Sequence, residues 1–132
     1  MTIVEVALLS LLYLSLKHFV VEYVWHTQYE ILNLSNWKHP ARYQHAFKHI
    51  LLSPVAYAMI TYSWWWLLLA LFVEFLSHLM IDNGREHLQN GINEHSNHYR
   101  NLSGLAQFGH MCVYISVIAF LVLYSPIGLQ GI

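Results

Sequence analysis

The chain has 132 residues, enough for one domain. It is 57% hydrophobic and only 10% charged, where soluble domains carry about 25% charged residues; with a mean hydropathy of +0.41, this describes a membrane protein. A formal net charge of −1 gives no basic footprint for nucleic acid, and the single cysteine, Cys112, excludes an internal disulfide or a Cys-rich zinc module.

The first apolar run is Ile3 to Trp25, long enough to cross a hydrocarbon core of about 20 residues. Lys17, His18 and Glu22 interrupt its second half. No basic stretch precedes it and no small-residue cleavage site follows, so a cleaved signal peptide is not expected. Residues His26 to Tyr43 read as a polar connection, with Asn33, Ser35, Asn36 and Pro40 as breakers. Within it, Tyr29, Ile31, Leu32, Leu34 and Trp37 suit the membrane interface. The second run, Gln44 to Tyr62, contains Pro54, which a membrane helix tolerates. A hairpin near Thr61–Ser63 leads into Trp64-Trp65-Trp66, an interfacial aromatic belt. The third run extends from about Trp64 to Asp82 and contains Glu74. Asn83 to Gly104 is the most polar segment, with Gly84, Gly91 and Gly104 as expected breaks. The fourth run is Leu105 to Tyr124, followed by a short uncharged tail beginning before Pro126.

The expected fold is therefore all-α: a polytopic membrane protein built as an antiparallel four-transmembrane-helix bundle, with helices at about 3–25, 44–62, 64–82 and 105–124. Lys38, Arg42 and Lys48 cluster around the first connection and Arg85 and Arg100 lie in the third. The positive-inside rule then makes both connections cytoplasmic and both termini external, in a bacterial cytoplasmic membrane. On that map all ten histidines fall on the cytoplasmic side, and Glu5 is the only charge in the outward halves.

Four segments carry polar residues at helical spacing. His18 with Glu22, His45 with His49, and His78 with Asp82 are i,i+4 pairs on one helix face; Gln107 precedes His110 by three. Ionisable groups inside a bilayer cost about 2.5–3.5 kcal/mol each on insertion scales, so they need partners. Imidazole with carboxylate suits zinc first, iron or manganese second, and facing helical pairs can build such a site in a bundle. The candidate metal ligands are His18, Glu22, His45, His49, His78, Asp82 and His110. Against them stands a metal-free polar core of intrahelical ion pairs. Glu74, one turn before His78, is a candidate to orient its ring. His87, His95 and His98 read as solvated. No His-Glu-x-x-His, Gly-x-Ser-x-Gly or phosphate-binding glycine loop occurs.

His18-Phe19-Val20-Val21-Glu22 followed by His26-Thr27-Gln28, the pair His45/His49, Ser77-His78-Leu79-Met80-Ile81-Asp82, and Gln107-Phe108-Gly109-His110 occur in that order. In this the chain resembles a family of short bacterial and phage membrane proteins known only as a domain of unknown function. The resemblance implies a four-helix membrane protein and no defined activity. The chain departs from the family pattern where Glu22 replaces an Asp and where Ala106 replaces another.

Three functions are compatible with these residues. One is an intramembrane metalloprotein, with metal-dependent hydrolysis using Glu22 or Asp82 as ligand or base as one activity it could carry. The second is a non-enzymatic subunit of a membrane-protein complex or homo-oligomer, suggested by the many aromatics. The third is a proton or ion relay, which the apolar outward halves argue against. The expected surroundings are the lipid bilayer, with no nucleic-acid partner.

Overall fold

The computed structural model describes residues 1–34 and 36–125. Ser35 and the tail from Pro126 lie outside the described residues. Among the described residues the helical elements are α1 (Ile3–Phe19), a π turn (Val20–Val24), α2 (Gln28–Asn33), α3 (Pro40–Ala58), α4 (Trp64–Gln89) and α5 (Asn97–Tyr124). α1 packs on α3 and α5, and α4 packs on α3 and α5, so the four long helices close a ring. α2 lies against α3.

Local chemistry explains the starts. Thr2 and Glu5 form a capping box on α1, with the Thr2 hydroxyl accepting from the Glu5 amide and the Glu5 carboxylate accepting from the Thr2 amide. Glu5, an isolated charge in an apolar run, is therefore part of a helix cap. Thr27 and Glu30 repeat the device on α2. Pro40 occupies the first turn of α3, where its missing N–H costs nothing, and His39 caps the helix through Nδ1. Ser96 caps α5 through its hydroxyl, which accepts from the Tyr99 amide.

Several boundaries differ from those expected. α3 begins at Pro40, not Gln44, and ends at Ala58. α4 continues to Gln89, and α5 starts at Asn97. Much of Asn83–Gly104 is thus helix that projects beyond the apolar stretch. Hydropathy marks the bilayer, whereas a helix ends where its backbone is capped or broken. Gly84 and Gly104 sit inside helices; the break is at Gly91, whose φ of +79° follows the end of α4. The connection at His26 to Tyr43 contains the short helix α2, which buries Glu30 and exposes Tyr29, Ile31 and Leu32, while Trp37 is exposed beyond it.

The interior is divided. An apolar cluster at one end gathers Val6, Leu14, Ala56, Ile60, Ala70 and Leu121 with their neighbours. The other end buries His18, Glu22, His45, His49, His78, Asp82 and His110. The outer faces are apolar: Leu8 and Leu12 on α1, Phe47, Leu51 and Val55 on α3, Phe72 and Met80 on α4, Phe108 and Ile115 on α5 are all exposed. A molecule with polar side chains inside and aliphatic ones outside is suited to lipid, where exposed aliphatic surface carries no hydrophobic penalty.

Among the described residues, three stretches are long and apolar enough to cross a membrane: Ile3–Val24, Trp64–Gln89 and Asn97–Tyr124. α3 falls outside this group because polar residues, among them Arg42, His45, Lys48 and His49, lower its mean hydropathy. α1 and α3 are joined around Pro54 by side chains that donate to carbonyls of α3: Ser10 to Ala56 at 3.1 Å and Tyr13 to Leu52 at 3.0 Å. Cys112 is half-buried.

Candidate metal centre

Each long helix delivers its polar residues through an i,i+4 ladder. α3 supplies His45, His49, Ser53 and Tyr57, and α4 supplies Glu74, His78 and Asp82. α5 adds His110 and Tyr114. α1 ends with Lys17 and His18, and the π turn follows at once. There the Trp25 amide donates to the carbonyl of Val20, five residues back, at 2.8 Å. This wide turn carries Glu22. Such turns appear mostly as single inserts, frequently at functional sites.

Glu22 faces α3. Its Oε2 lies 3.1 Å from His45 Nε2 and 3.4 Å from His49 Nε2. Asp82 makes the matching arrangement with the other two helices, with Oδ2 3.0 Å from His78 Nε2 and Oδ1 3.2 Å from His110 Nε2. The rings of His49 and His78 join the halves, with centroids 4.0 Å apart. His78 stacks on His110 at 4.4 Å. The interior therefore holds two adjoining sets, each of two imidazoles and one carboxylate.

Several ring nitrogens here are buried without a hydrogen-bond partner among the described residues: both of His49, Nε2 of His78 and Nδ1 of His45. His49 Nε2 and His78 Nε2 lie close to carboxylate oxygens but out of hydrogen-bond alignment. A buried polar atom without a partner costs about 1–3 kcal/mol, and such a concentration calls for an explanation such as an ion. Two overlapping triads, His45/His49/His78 and His78/Asp82/His110, bring one ligand atom per residue within 4.8 Å of one another. A tetrahedral ion with metal–nitrogen bonds of about 2.0–2.1 Å needs ligands about 3.4 Å apart, so side-chain adjustments of about an ångström suffice. Nitrogen and oxygen donors without thiolate suit zinc, iron or manganese.

His18 is placed differently from the other candidates. Its ring touches those of His49 and His110, at centroid distances of 4.8 and 4.9 Å. Both its nitrogens are already occupied: Nε2 lies 2.6 Å from Gln107 Oε1 and Nδ1 3.0 Å from the Tyr114 hydroxyl. A consistent assignment has Nε2–H donating to Gln107 and Nδ1 accepting from Tyr114. His18 belongs to neither triad.

Among the described residues, the hydrogen-bond partners of Glu74 do not include His78. Glu74 Oε1 is 2.6 Å from Lys17 Nζ and accepts from the Ser53 hydroxyl at 2.8 Å; Oε2 accepts from the Tyr57 hydroxyl at 2.7 Å. Lys17 also donates to the His49 carbonyl at 2.9 Å and to Tyr114 at 3.0 Å. Tyr114 is thus the link from this buried ion pair to His18. Lys17, Ser53, Tyr57 and Tyr114 were not singled out from sequence as partners, although Ser53 and Tyr57 continue the His45/His49 ladder.

Arg85 adds a cation at the same end. NH1 lies 3.6 Å from Glu22 Oε1 and NH2 3.8 Å from Asp82 Oδ1. Arg42, used from sequence as a connection charge, is buried in α3 and bonds the Leu34 carbonyl and Glu86. His87, His95 and His98 are exposed.

At the rim, His26 stacks on His45 with centroids 4.6 Å apart. Burial, and then the neighbouring His45, lower the pKa of His26 and favour its neutral ring. Glu30 pairs with Lys48 at 2.6 Å. Burial raises the Glu30 pKa, but the hydrogen bonds from Lys48 and the Thr27 amide outweigh it and hold the group below the usual carboxylate range.

Residues 9–128 match the family model described as "Protein of unknown function (DUF3307)". No curated protein and no solved structure matches the chain.

Proposed function

We propose, for a chain that belongs to the DUF3307 family and whose family assigns no chemistry, an integral membrane metalloprotein whose ion is held by Glu22, His45, His49, His78, Asp82 and His110. The observation that carries this reading is the pair of joined His/His/acid sets with unpartnered ring nitrogens inside the helical ring. Ionisable side chains are too costly inside a bilayer to be retained without partners, and a divalent cation would satisfy these.

The accompanying architecture is the four-crossing bundle, with α3 as the fourth crossing, both termini external and the centre near the inner face of a cytoplasmic membrane. The outer face of α3 supports that assignment, because Phe47, Leu51 and Val55 are exposed while Arg42, His45, His49 and Ser53 are buried. Exposed Tyr62, Trp64 and Trp65 suit the opposite interface.

The activity that fits this ligand set is metal-assisted hydrolysis. A bound ion would lower the pKa of a coordinated water to about 7, and Glu22 or Asp82 would act as ligand or base. Zinc suits this best; iron and manganese accept the same donors. Arg85 lines a groove between α4 and α5 with apolar walls including Ile81, Leu88, Leu105 and Phe108, and also approaches Glu22 and Asp82. An amphiphilic substrate with an anionic head matches that combination. Complete burial of His49 and His78 favours a second reading, in which the ion is structural and the chain is a subunit of an oligomer or complex.

Elemental analysis of detergent-purified protein tests the metal centre. About one to two equivalents of a transition metal per chain are expected, falling sharply in His78→Ala. Less than about a tenth of an equivalent, unchanged by that substitution, would refute it. Hydrolysis of amphiphilic esters that disappears on metal removal separates the enzyme from the structural reading.

A further inference from the structure

A second set of donors lies outside the buried centre and shares one ring with it. His26, Glu30 and His45 bring one ligand atom each within 4.8 Å of one another. The hydrogen bonds already made define which nitrogens remain. His26 Nδ1 is 3.1 Å from the carbonyl of Glu22, to which it donates, leaving Nε2 as the lone-pair nitrogen. His45 Nε2 is 3.1 Å from Glu22 Oε2, and donation to that carboxylate leaves Nδ1 as the lone-pair nitrogen. His26 Nε2 and His45 Nδ1 are the two that are buried and without partners among the described residues. His45 itself is 1% exposed. Two imidazole lone pairs thus meet a carboxylate beside the half-buried His26.

We propose that His26, Glu30 and His45 form an outer binding station for a divalent transition metal, through which ions reach the buried centre. The relay builds on the metal-centre reading; the outer station stands on its own residues. His45 is the shared element: Nδ1 faces the station and Nε2 faces Glu22, His49 and the interior. An ion leaving the station for the centre exchanges one nitrogen of this ring for the other, the ring proton moving from Nε2 to the vacated Nδ1. Carboxylate Glu22 follows the same logic, with its backbone carbonyl fixing His26 and its side chain fixing His45.

Lys48 regulates the station. Its ammonium now occupies the cation position beside Glu30, at 2.6 Å, and it also donates to the Trp25 carbonyl at 3.0 Å. The Lys48 side chain is partly exposed, so it can swing toward water when an ion takes its place. Lysine and metal compete for one carboxylate, and removal of the lysine strengthens ion binding there.

Cobalt(II) is the probe, titrated into metal-stripped full-length protein in detergent and followed by its visible absorption. Wild type is expected to show two phases. His26→Ala and Glu30→Gln each remove the weaker phase and slow filling of the tighter one about tenfold. Gln keeps a side-chain oxygen for the α2 cap, so Glu30→Gln guards against an effect of folding alone. Lys48→Gln tightens the weaker phase about tenfold. His78→Ala removes the tighter phase and leaves the weaker, which separates failure of the buried centre from failure of the station. Retention of both phases and of the filling rate in both His26→Ala and Glu30→Gln would overturn the proposal. Loss of the weaker phase with an unchanged filling rate would keep the station and overturn the relay.

Discussion

Replacing Lys17 by Met would remove one member of the ion pair at the middle of the molecule. The Lys17 and Glu74 side chains are 1% and 2% exposed, so water does not screen the charge left behind. Glu74 would retain only the neutral donors Ser53 and Tyr57. Breaking a buried pair from one side costs about 3–5 kcal/mol. Glu74→Leu should cost a similar amount, since Lys17 would keep only the His49 carbonyl, Ser53 and Tyr114. The double substitution removes both charges. Ser53 can still donate to the His49 carbonyl at 3.1 Å, so the main residual loss is the Tyr57 hydroxyl, about 1–3 kcal/mol. The double variant should therefore be more stable than either single one. Reversible unfolding in detergent, followed by circular dichroism, measures all three. Strictly additive losses, or single losses below about 1 kcal/mol, would refute a tight buried pair.

Further outcomes follow from other contacts. Stripping metal should lower the unfolding free energy, by about 4 kcal/mol where free ion had stood a thousandfold above its Kd, and re-addition should restore it. Gly91→Ala should destabilise by about 1 kcal/mol because φ is +79°, whereas Gly84→Ala, inside α4 with nothing within 4 Å of an added Cβ, should stabilise by about 0.5–1 kcal/mol. Thermal unfolding distinguishes the two signs. Thr27→Ala should cost about 1 kcal/mol and accelerate amide exchange selectively over Gln28–Asn33.

The histidine and acid positions were legible because i,i+4 spacing is local. His78 and Asp82, or His45 and His49, define a common face without reference to the rest of the chain. Their convergence required only that the helices pack side by side. Lys17 and Glu74 were legible as awkward charges but not as partners, because no local rule joins residues 57 positions apart. The π turn had no signature, since Val20-Val21-Glu22-Tyr23-Val24 reads equally well as α-helix. The cap of α2 was available in the pattern Thr27-x-x-Glu30 but was masked by the breakers that follow it. The C-terminal end of α4 and the start of α5 are not legible from hydropathy, because both helices continue through polar sequence. Arg85 reads in sequence as a topology signal; its place near Glu22 and Asp82 depends on α4 continuing past Asp82.

The inward-facing ladder of α3 also bears on biogenesis. On the four-crossing reading, α3 arrives at the membrane with a buried arginine and two buried histidines, while the acids that receive them belong to the π turn and α4. Presented alone to a translocon, it would partition poorly into lipid. Its entry is then coupled to helices made before and after it, so insertion and assembly become one event. Premature separation of α3 from α4 during synthesis would leave a segment prone to quality control and degradation.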